Sequence, residues 1–450
     1  MAKQEKRPAP SLATKMGISL VCGLVVGVLL LFLRESLVGS GNEAVWKTVN
    51  DLFFQDITAQ GAEQALGIFY LVGQLFIRSL QLIIVPMVFT SITLAIGQIS
   101  DTRTLGRISA KTLIWFLICS FFALILACCV GSVLYNAGLF TAQVEGLAGN
   151  AGSTGSNPMN VILNMVPSNI VTAFGSNTAV LAIVFLAVCL GLSMNALGEE
   201  KTATLRKLIQ ELNDVVVVFL NYVVNKFGPI AIFMLLVRTF ATYGIDYLRP
   251  AFAYVVTTVA LLLLFLVVGY PLIVAAGAGQ NPITFIKKIS KVAVFGFSTS
   301  SSAAALPLNY KTCTEDLGVD ETIASFVLPL GMTINMNGTA IMQVIATVFI
   351  AGCAGYSVSL TQLVVIALLA LIASAGTPAA PGAGAIVLFT ILSGVGFVND
   401  GALLAYSLIL AINRPIEMLV TALNVVGDAV TAICVAKSEG QLDSGKYNKQ

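Results

Sequence analysis

Five polar residues near the C-terminus, Asn413, Glu417, Thr421, Asn424 and Asp428, recur at intervals of four, four, three and four. That spacing places all five on one face of a helix. The intervening residues are largely apolar, so the face is a buried stripe carrying two carboxylates. Such groups are costly to bury, and an ionisable side chain at membrane depth is a functional candidate by default. Asp428 is the strongest candidate ligand for a hard cation, which would offset its charge. Glu417 could receive a substrate ammonium group or carry a proton. Arg414, three residues before Glu417, can equally pair with it as a structural ion pair. Val420 sets an apolar wall among these polar groups and bears on specificity.

A second cluster is Gly331-Met332-Thr333-Ile334-Asn335-Met336-Asn337-Gly338-Thr339. Interhelical hydrogen bonds from Asn and Thr contribute roughly 0.6 kcal/mol each, and two of each within so short a run exceed what packing needs. Locally unwound backbone here would aim carbonyl oxygens at a bound cation. Two more tracts interrupt apolar sequence. Residues 281–308 have an apolar run only from Val292 to Phe297 before Ser298-Thr299-Ser300-Ser301-Ser302 and Ala303-Ala304-Ala305-Leu306-Pro307. Residues 360–397 are two half-length apolar runs around Ser374-Ala375-Gly376-Thr377-Pro378-Ala379-Ala380-Pro381-Gly382-Ala383-Gly384.

The chain around these sites has 450 residues, 57% hydrophobic and 10% charged, where about 25% charged is usual for soluble domains. Mean hydropathy is +0.92, room for roughly eight to ten membrane crossings. Apolar stretches near 12–33, 67–98, 108–136, 178–197, 208–241, 249–277, 322–352 and 400–436 are each long enough to span. The sequence contains no histidine, which removes Ser-His and Cys-His catalysis and histidine metal sites. The eight cysteines lie mostly in apolar runs without CxxC spacing and read as small buried hydrophobes. With 24 basic and 22 acidic residues, bulk charge makes no case for nucleic acid. The basic N-terminus runs into apolar sequence without a small-residue cleavage site, so a retained signal anchor is expected.

A helix that meets a Gly/Pro/Ser tract at mid-membrane cannot continue, and its freed backbone groups need protein or a water-filled cavity. Two re-entrant hairpins answer that need, kinked spans being the alternative. With the N-terminus inside, eight crossings and two hairpins put 17 of the 24 basic residues on the cytoplasmic side, and both termini there. Turning both hairpins into spans leaves the C-terminus where it is. The second half thus alternates interrupted hairpin, polar helix, interrupted hairpin, polar helix. Paired interrupted segments point to a secondary transporter built of inverted repeats, with its site at the bilayer midplane.

From residue 285 onward the sequence resembles the sodium:dicarboxylate symporter family of glutamate and neutral amino-acid transporters and their prokaryotic homologues. The resemblance rests on Thr299-Ser300-Ser301-Ser302, Ala304-Ala305-Leu306-Pro307, Leu328 to Thr339, Gly376-Thr377, Pro381-Gly382-Ala383-Gly384-Ala385 and Asn424-Val425-Val426-Gly427-Asp428. In the first half it rests on topology and Ile84-Val85-Pro86-Met87-Val88-Phe89. It implies an all-α polytopic fold of eight transmembrane helices and two re-entrant hairpins. The carrier would be an elevator-type homotrimer in an inner (plasma) membrane. A scaffold of about 12–98 and 140–245 would hold a transport domain of about 105–138 and 249–437, followed by a cytoplasmic tail, 438–450.

By position, the resemblance implies substrate contacts at Ser300, Ser302, Thr339, Ala380, Gly384, Glu417, Val420, Thr421 and Asn424. One sodium site would use Gly331, Asn335, Asn424 and Asp428. A second would use backbone oxygens of Thr333, Met336, Ser374, Ala375 and Thr377. A third is weakened, because Asn337 stands where the family has an acidic residue and Cys119 and Ser120 where it has hydroxyls. Acidic-substrate members carry an arginine at the position of Val420, and an apolar residue cannot replace that bidentate contact. The expected function is sodium-coupled symport of a small neutral amino acid, with no organic cofactor. The alternatives are a proton-coupled or sodium-independent carrier, or an acidic-substrate carrier using Arg414. A channel would want a symmetric ring of repeated carbonyls or charges, which two unlike hairpins do not supply. An intramembrane protease would want a second aspartate beside Asp428, so no enzyme is expected.

Overall fold

The computed structural model describes residues 12–59, 61–97, 103–141, 163, 165–176, 179–244, 248–375, 377 and 382–449. In an apolar surround, a helix satisfies its own backbone groups. Among the described residues the chain is helical, with no strand beyond a single bridge between Val319 and Leu442. Seven described helical stretches are long and apolar enough to cross a bilayer. Large apolar side chains such as Leu29, Phe32, Leu82, Phe121 and Phe252 stand exposed on them, as lipid-facing surface requires.

The first four expected spans are α1 (Leu12–Gly39), α3 (Ile68–Gly97), α4 (Arg103–Asn136) and α6 (Val180–Leu197). Two short helices, α2 (Glu43–Phe53) and α5 (Ile170–Phe174), lie between them. Helix α7 (Glu199–Tyr222) passes through a π-helical turn, Val223–Phe227, into α8 (Gly228–Tyr243). Helix α9 (Leu248–Leu264) continues likewise through Phe265–Gly269 into α10 (Tyr270–Ala278). Both turns precede a proline, Pro229 or Pro271. A proline cannot donate to the carbonyl four residues back, and the widened turn absorbs that missing bond.

The interrupted tracts form two helical hairpins. The first joins α11 (Pro282–Thr299) to α12 (Ser302–Lys311), and the second joins α15 (Leu360–Ala375) to α16 (Ala383–Val395). The arms have 18, 10, 16 and 13 residues, against about 20 for a full span. In each hairpin the arms pack side by side, as the halves of a kinked span do not.

Two expected single spans are divided. The stretch 322–352 is α13 (Glu321–Ile334) and α14 (Asn337–Cys353), with Asn335 and Met336 out of the helix at ψ 65° and 60°. The stretch 400–436 is α17 (Asp400–Ile412) and α18 (Arg414–Ser438), meeting at Asn413. Pro415 lacks the N–H that a continuous helix would give to the Ala411 carbonyl.

Every residue of α14 is buried, and so is nearly all of α18 beyond Arg414 and Pro415. Helices apolar on all sides belong at the centre of a bundle. Here α14 packs on α18, α4, α9, α15 and α17, while α18 is also embraced by α10, α11 and α13. A second group forms around α3, which packs on α6, α7 and α8, with α1 laid along α8. Helices α16 and α17 touch this group through α3 and α8.

Of the expected tail, 438–450, residues 440–449 fold back onto the base of the first hairpin. Tyr447 is fully buried and its hydroxyl donates to the Asn281 carbonyl. The Lys288 ammonium group donates to the carbonyls of Asp316, Lys446 and Tyr447. Just before this segment, Glu439 accepts from Lys111 and from Arg107, which joins α18 to the start of α4. Those hydrogen bonds hold the Glu439 carboxyl below its ordinary value of 4.5. A depressed carboxyl stabilises the fold above its unfolded pKa and loses that contribution as pH falls through the folded one. Wild-type unfolding, followed by intrinsic fluorescence, is therefore expected to lose a small, salt-sensitive increment of no more than about 2 °C as pH drops below 4.5, because Arg107 is exposed. Glu439→Gln should lack that increment at neutral pH.

Candidate functional site

The break in the α13–α14 pair places two helix ends at one point. The last carbonyls of α13 lie at the negative end of its dipole, and the first N–H groups of α14 lie at the positive end of its own. The N–H groups of Asn335 and Met336 turn back to the carbonyls of Gly331 and Ile334. A cation suits the first end, and a carboxylate suits the second.

A chain of side-chain hydrogen bonds fixes this segment. Asn335 donates through Nδ2 to Asp428 Oδ1 at 3.1 Å. Asn337 donates to Asn335 Oδ1 at 2.9 Å and to the Tyr270 hydroxyl at 3.0 Å, and accepts from Ser120 at 2.7 Å. Asn337 is fully buried, and its amide oxygen and nitrogen are both taken by protein groups. Asn337 is thus a neutral strut between α4, α10 and the start of α14. Cys119, beside Ser120, is also fully buried.

Asp428 lies against Gly331, where an added Cβ would come 2.4 Å from Oδ1. Only glycine lets the carboxylate approach the end of α13. At Gly338 a Cβ would meet the Val420 carbonyl at 2.8 Å, so α14 starts directly on α18. Asn424 locks that crossing by accepting from the Gly338 N–H at 2.8 Å and donating to Thr339 Oγ1 at 3.1 Å. Asp428 therefore brings a carboxylate to the carbonyl end of α13, while the side chains of Asn335 and Asn424 brace the break between α13 and α14; oxygen donors of this kind suit a hard cation rather than a transition metal.

Both hairpins reach this centre. Ser300 takes the left-handed conformation, φ 50°, at the first tip, and Ser301 caps α12 by accepting from the Ala304 N–H. A Cβ at Gly296 would touch the Val425 side chain and lie 3.5 Å from the Thr421 carbonyl, so the first tip abuts the α18 stripe. Asn309 donates to the Val425 carbonyl from the other arm. Ser300 and Ser302 are buried there. In the second hairpin the Gly384 carbonyl accepts from Gln343 at 3.1 Å, and Gly384 lies against Thr339 and Met342. Ser374 and Thr377 are buried at its tip, where the Thr377 N–H donates to the Ser374 carbonyl. Ala375 ends the first arm. Thr333 caps back within α13 by donating to the Leu330 carbonyl. Ala380 lies outside the described residues.

The five residues of the stripe are all buried, Asn413 at the joint of α17 and α18 and the other four on α18. Glu417 accepts from Arg414 Nη1 at 3.4 Å, and Thr421 donates to the Glu417 carbonyl. Glu417 Oε1, Asn413 Nδ2, Arg414 Nε and Gln343 Oε1 are buried without a well-formed hydrogen bond, although the Asn413 amide and the Ala385 N–H face the carboxylate. Asn413 accepts from the Tyr254 hydroxyl at 2.7 Å.

Three contributors lie outside the sequence reading. Gln343 follows Thr339 by four residues and precedes Thr347 by four, a spacing that could have marked it. Tyr254 and Tyr270 stand in largely apolar helices, and nothing in their local sequence distinguishes them from core tyrosines.

Paired hairpins, a broken helix and a buried carboxylate stripe inside a polytopic bundle define a secondary carrier, a transporter and not an enzyme. Residues 12–438 match the sodium:dicarboxylate symporter family, and the chain belongs to that family. It is 30% identical to the proton/glutamate-aspartate symporter of Escherichia coli (strain K12), across 83% of this chain and 86% of that protein. It is 29% identical to the proton/sodium-glutamate symport protein of Bacillus caldotenax, across 83% and 89%. It is 30% identical to the C4-dicarboxylate transport protein of Polynucleobacter asymbioticus, across 88% and 91%. The protein is thus a multi-pass membrane symporter of the dicarboxylate and amino-acid class.

Proposed function

We propose that the protein couples entry of a small neutral amino acid to sodium. The observation that carries this reading is the buried Val420 beside Glu417, with the nearby guanidinium of Arg414 turned to Glu417. Such a pocket has a carboxylate for the substrate ammonium group, helix ends for its carboxylate and an apolar wall for a short side chain. Sodium would travel as a co-substrate, held at Asp428 with oxygens of Gly331, Asn335 and Asn424. A second ion would sit on backbone oxygens of Thr333, Met336, Ser374, Ala375 and Thr377. Ser300, Ser302, Thr339, Ala380, Gly384 and Thr421 would complete the substrate pocket. Cys119, Ser120 and Asn337 form a weakened third cation site, because the amide oxygen of Asn337 already accepts from Ser120.

The grouping of α1, α3 and α6–α8 on one side and of α4 and α9–α18 on the other, meeting chiefly through α16 and α17, supports a scaffold and a moving transport domain with re-entrant hairpins. An elevator stroke, a homotrimer and an inner-membrane location with both termini cytoplasmic complete the proposal. The relatives named for glutamate, aspartate and C4-dicarboxylates, some with protons, favour a second reading in which an acidic substrate or a proton is carried. Uptake by proteoliposomes separates the two. Sodium-driven uptake of serine, threonine or alanine is expected. Aspartate preference, or uptake driven only by a proton gradient, would overturn the pocket or the coupling respectively.

A further inference from the structure

We infer that Arg414 is the counter-ion of the empty carrier: its guanidinium holds Glu417 whenever no substrate does, and so permits the return half of the transport cycle. This rests on the reading that Glu417 receives the substrate ammonium group.

The pair is loose. Arg414 Nη1 and Glu417 Oε2 are 3.4 Å apart, with the side chains 13% and 10% exposed. Arg414 Nε and Glu417 Oε1 are buried without a well-formed hydrogen bond, so charge holds the contact and no two-pronged fork does. Glu439, by contrast, is bonded by both Arg107 and Lys111, as a permanent tie would be. Glu417 keeps an acceptor free for a second cation, and Arg414 can let go.

The position also matters. Arg414, Glu417 and Asn413 line a cavity of about 30 Å³ whose opposite wall is Phe76, Leu80 and Ile232, room for a water or two. It lies where α16–α18 meet α3 and α8, at the boundary between the two helix groups. A carboxylate buried here without a partner is strongly unfavourable. In the loaded carrier the ammonium group offsets it. In the empty carrier Arg414 is the cation in contact with it.

The consequence is a split between two modes of transport. Exchange uses only loaded carriers, whereas net uptake needs the empty carrier to return. Full-length protein would be reconstituted, and labelled serine, alanine and threonine followed in two arms: vesicles preloaded with the unlabelled amino acid, and vesicles without it under a sodium gradient. Arg414→Gln is expected to keep exchange within about threefold while net uptake falls at least about tenfold. Its exchange KM should be unchanged or lower, since a competitor of the ammonium group is gone. Arg414→Lys, which keeps the charge, should retain both modes. Equal loss of exchange and net uptake in folded Arg414→Gln, or retention of both, overturns the inference. If Arg414→Gln does not fold but the Arg414→Gln, Glu417→Gln double variant does, the guanidinium is shown to balance that carboxylate in the empty protein. A double variant that also fails to fold overturns the charge argument. Wild-type protein that takes up none of the three amino acids would instead remove the substrate reading, before any variant is made.

Discussion

Asp428→Asn is expected to raise the sodium concentration for half-maximal uptake by at least about 100-fold, and to abolish the sodium-dependent rise in thermal stability. A unit charge pair 4 Å apart near a protein surface interacts by about 4 kcal/mol, and every 1.4 kcal/mol is about tenfold. Part of that gain is spent on stripping water from the ion, which leaves the lower figure. The fold should survive, because the amide keeps an oxygen to accept from Asn335 and no longer buries a charge. Gly331→Ala tests placement with the charge intact. Its Cβ would come 2.4 Å from Asp428 Oδ1, so the carboxylate must leave the end of α13 and sodium dependence should weaken here too. Sodium titrations of uptake and of unfolding temperature read both variants. An Asp428→Asn protein with the wild-type sodium requirement would sink the assignment of this carboxylate to the cation.

Much of this centre was legible because membrane burial makes polar residues conspicuous. The spacing from Asn413 to Asp428 needs only the helical period to fall on one face; all five residues are buried, four of them on α18 and Asn413 at its N-terminal cap. The unwound point at Asn335 and Met336 was visible as amides and glycines in hydrocarbon. What remained hidden depends on partners far away in the chain. Asn337 reads as a lost carboxylate, but its engagement by Tyr270 and Ser120 follows from how α4 packs on α14 and α10 on α18, and no local pattern encodes that. The break at Asn413 escaped notice because Asn413 keeps the four-residue spacing of the stripe, although Pro415 was a signal. The return of the C-terminal segment onto Lys288 was invisible for a different reason. The lysine bonds main-chain carbonyls, which any sequence supplies.

Val420→Arg should convert the carrier from neutral to acidic substrates. The Val420 side chain is buried and its carbonyl is pinned against Gly338, so the Cβ at this position is fixed by the crossing of α14 and α18. It lies three residues after Glu417 and one before Thr421, on the edge of the polar stripe. A guanidinium there can meet a side-chain carboxylate with two parallel bonds. A charge-assisted contact contributes about 1.5–3 kcal/mol, equivalent to roughly 10- to 100-fold in preference for aspartate over serine. Serine uptake should fall, since the new side chain then lies unpaired in a dry pocket and also competes for Glu417. The same electrostatics ties this variant to Arg414: with two cations near one carboxylate, the empty pocket gains a positive charge that an acidic substrate neutralises and a zwitterion does not. Competition of aspartate against labelled serine, measured in wild type and variant, reads the switch as a ratio and is insensitive to expression level. Val420→Leu, larger but apolar, should shrink the pocket and stay neutral-selective. A wild-type protein that already prefers aspartate, or a folded Val420→Arg that still prefers serine, would remove Val420 as the residue that sets substrate charge.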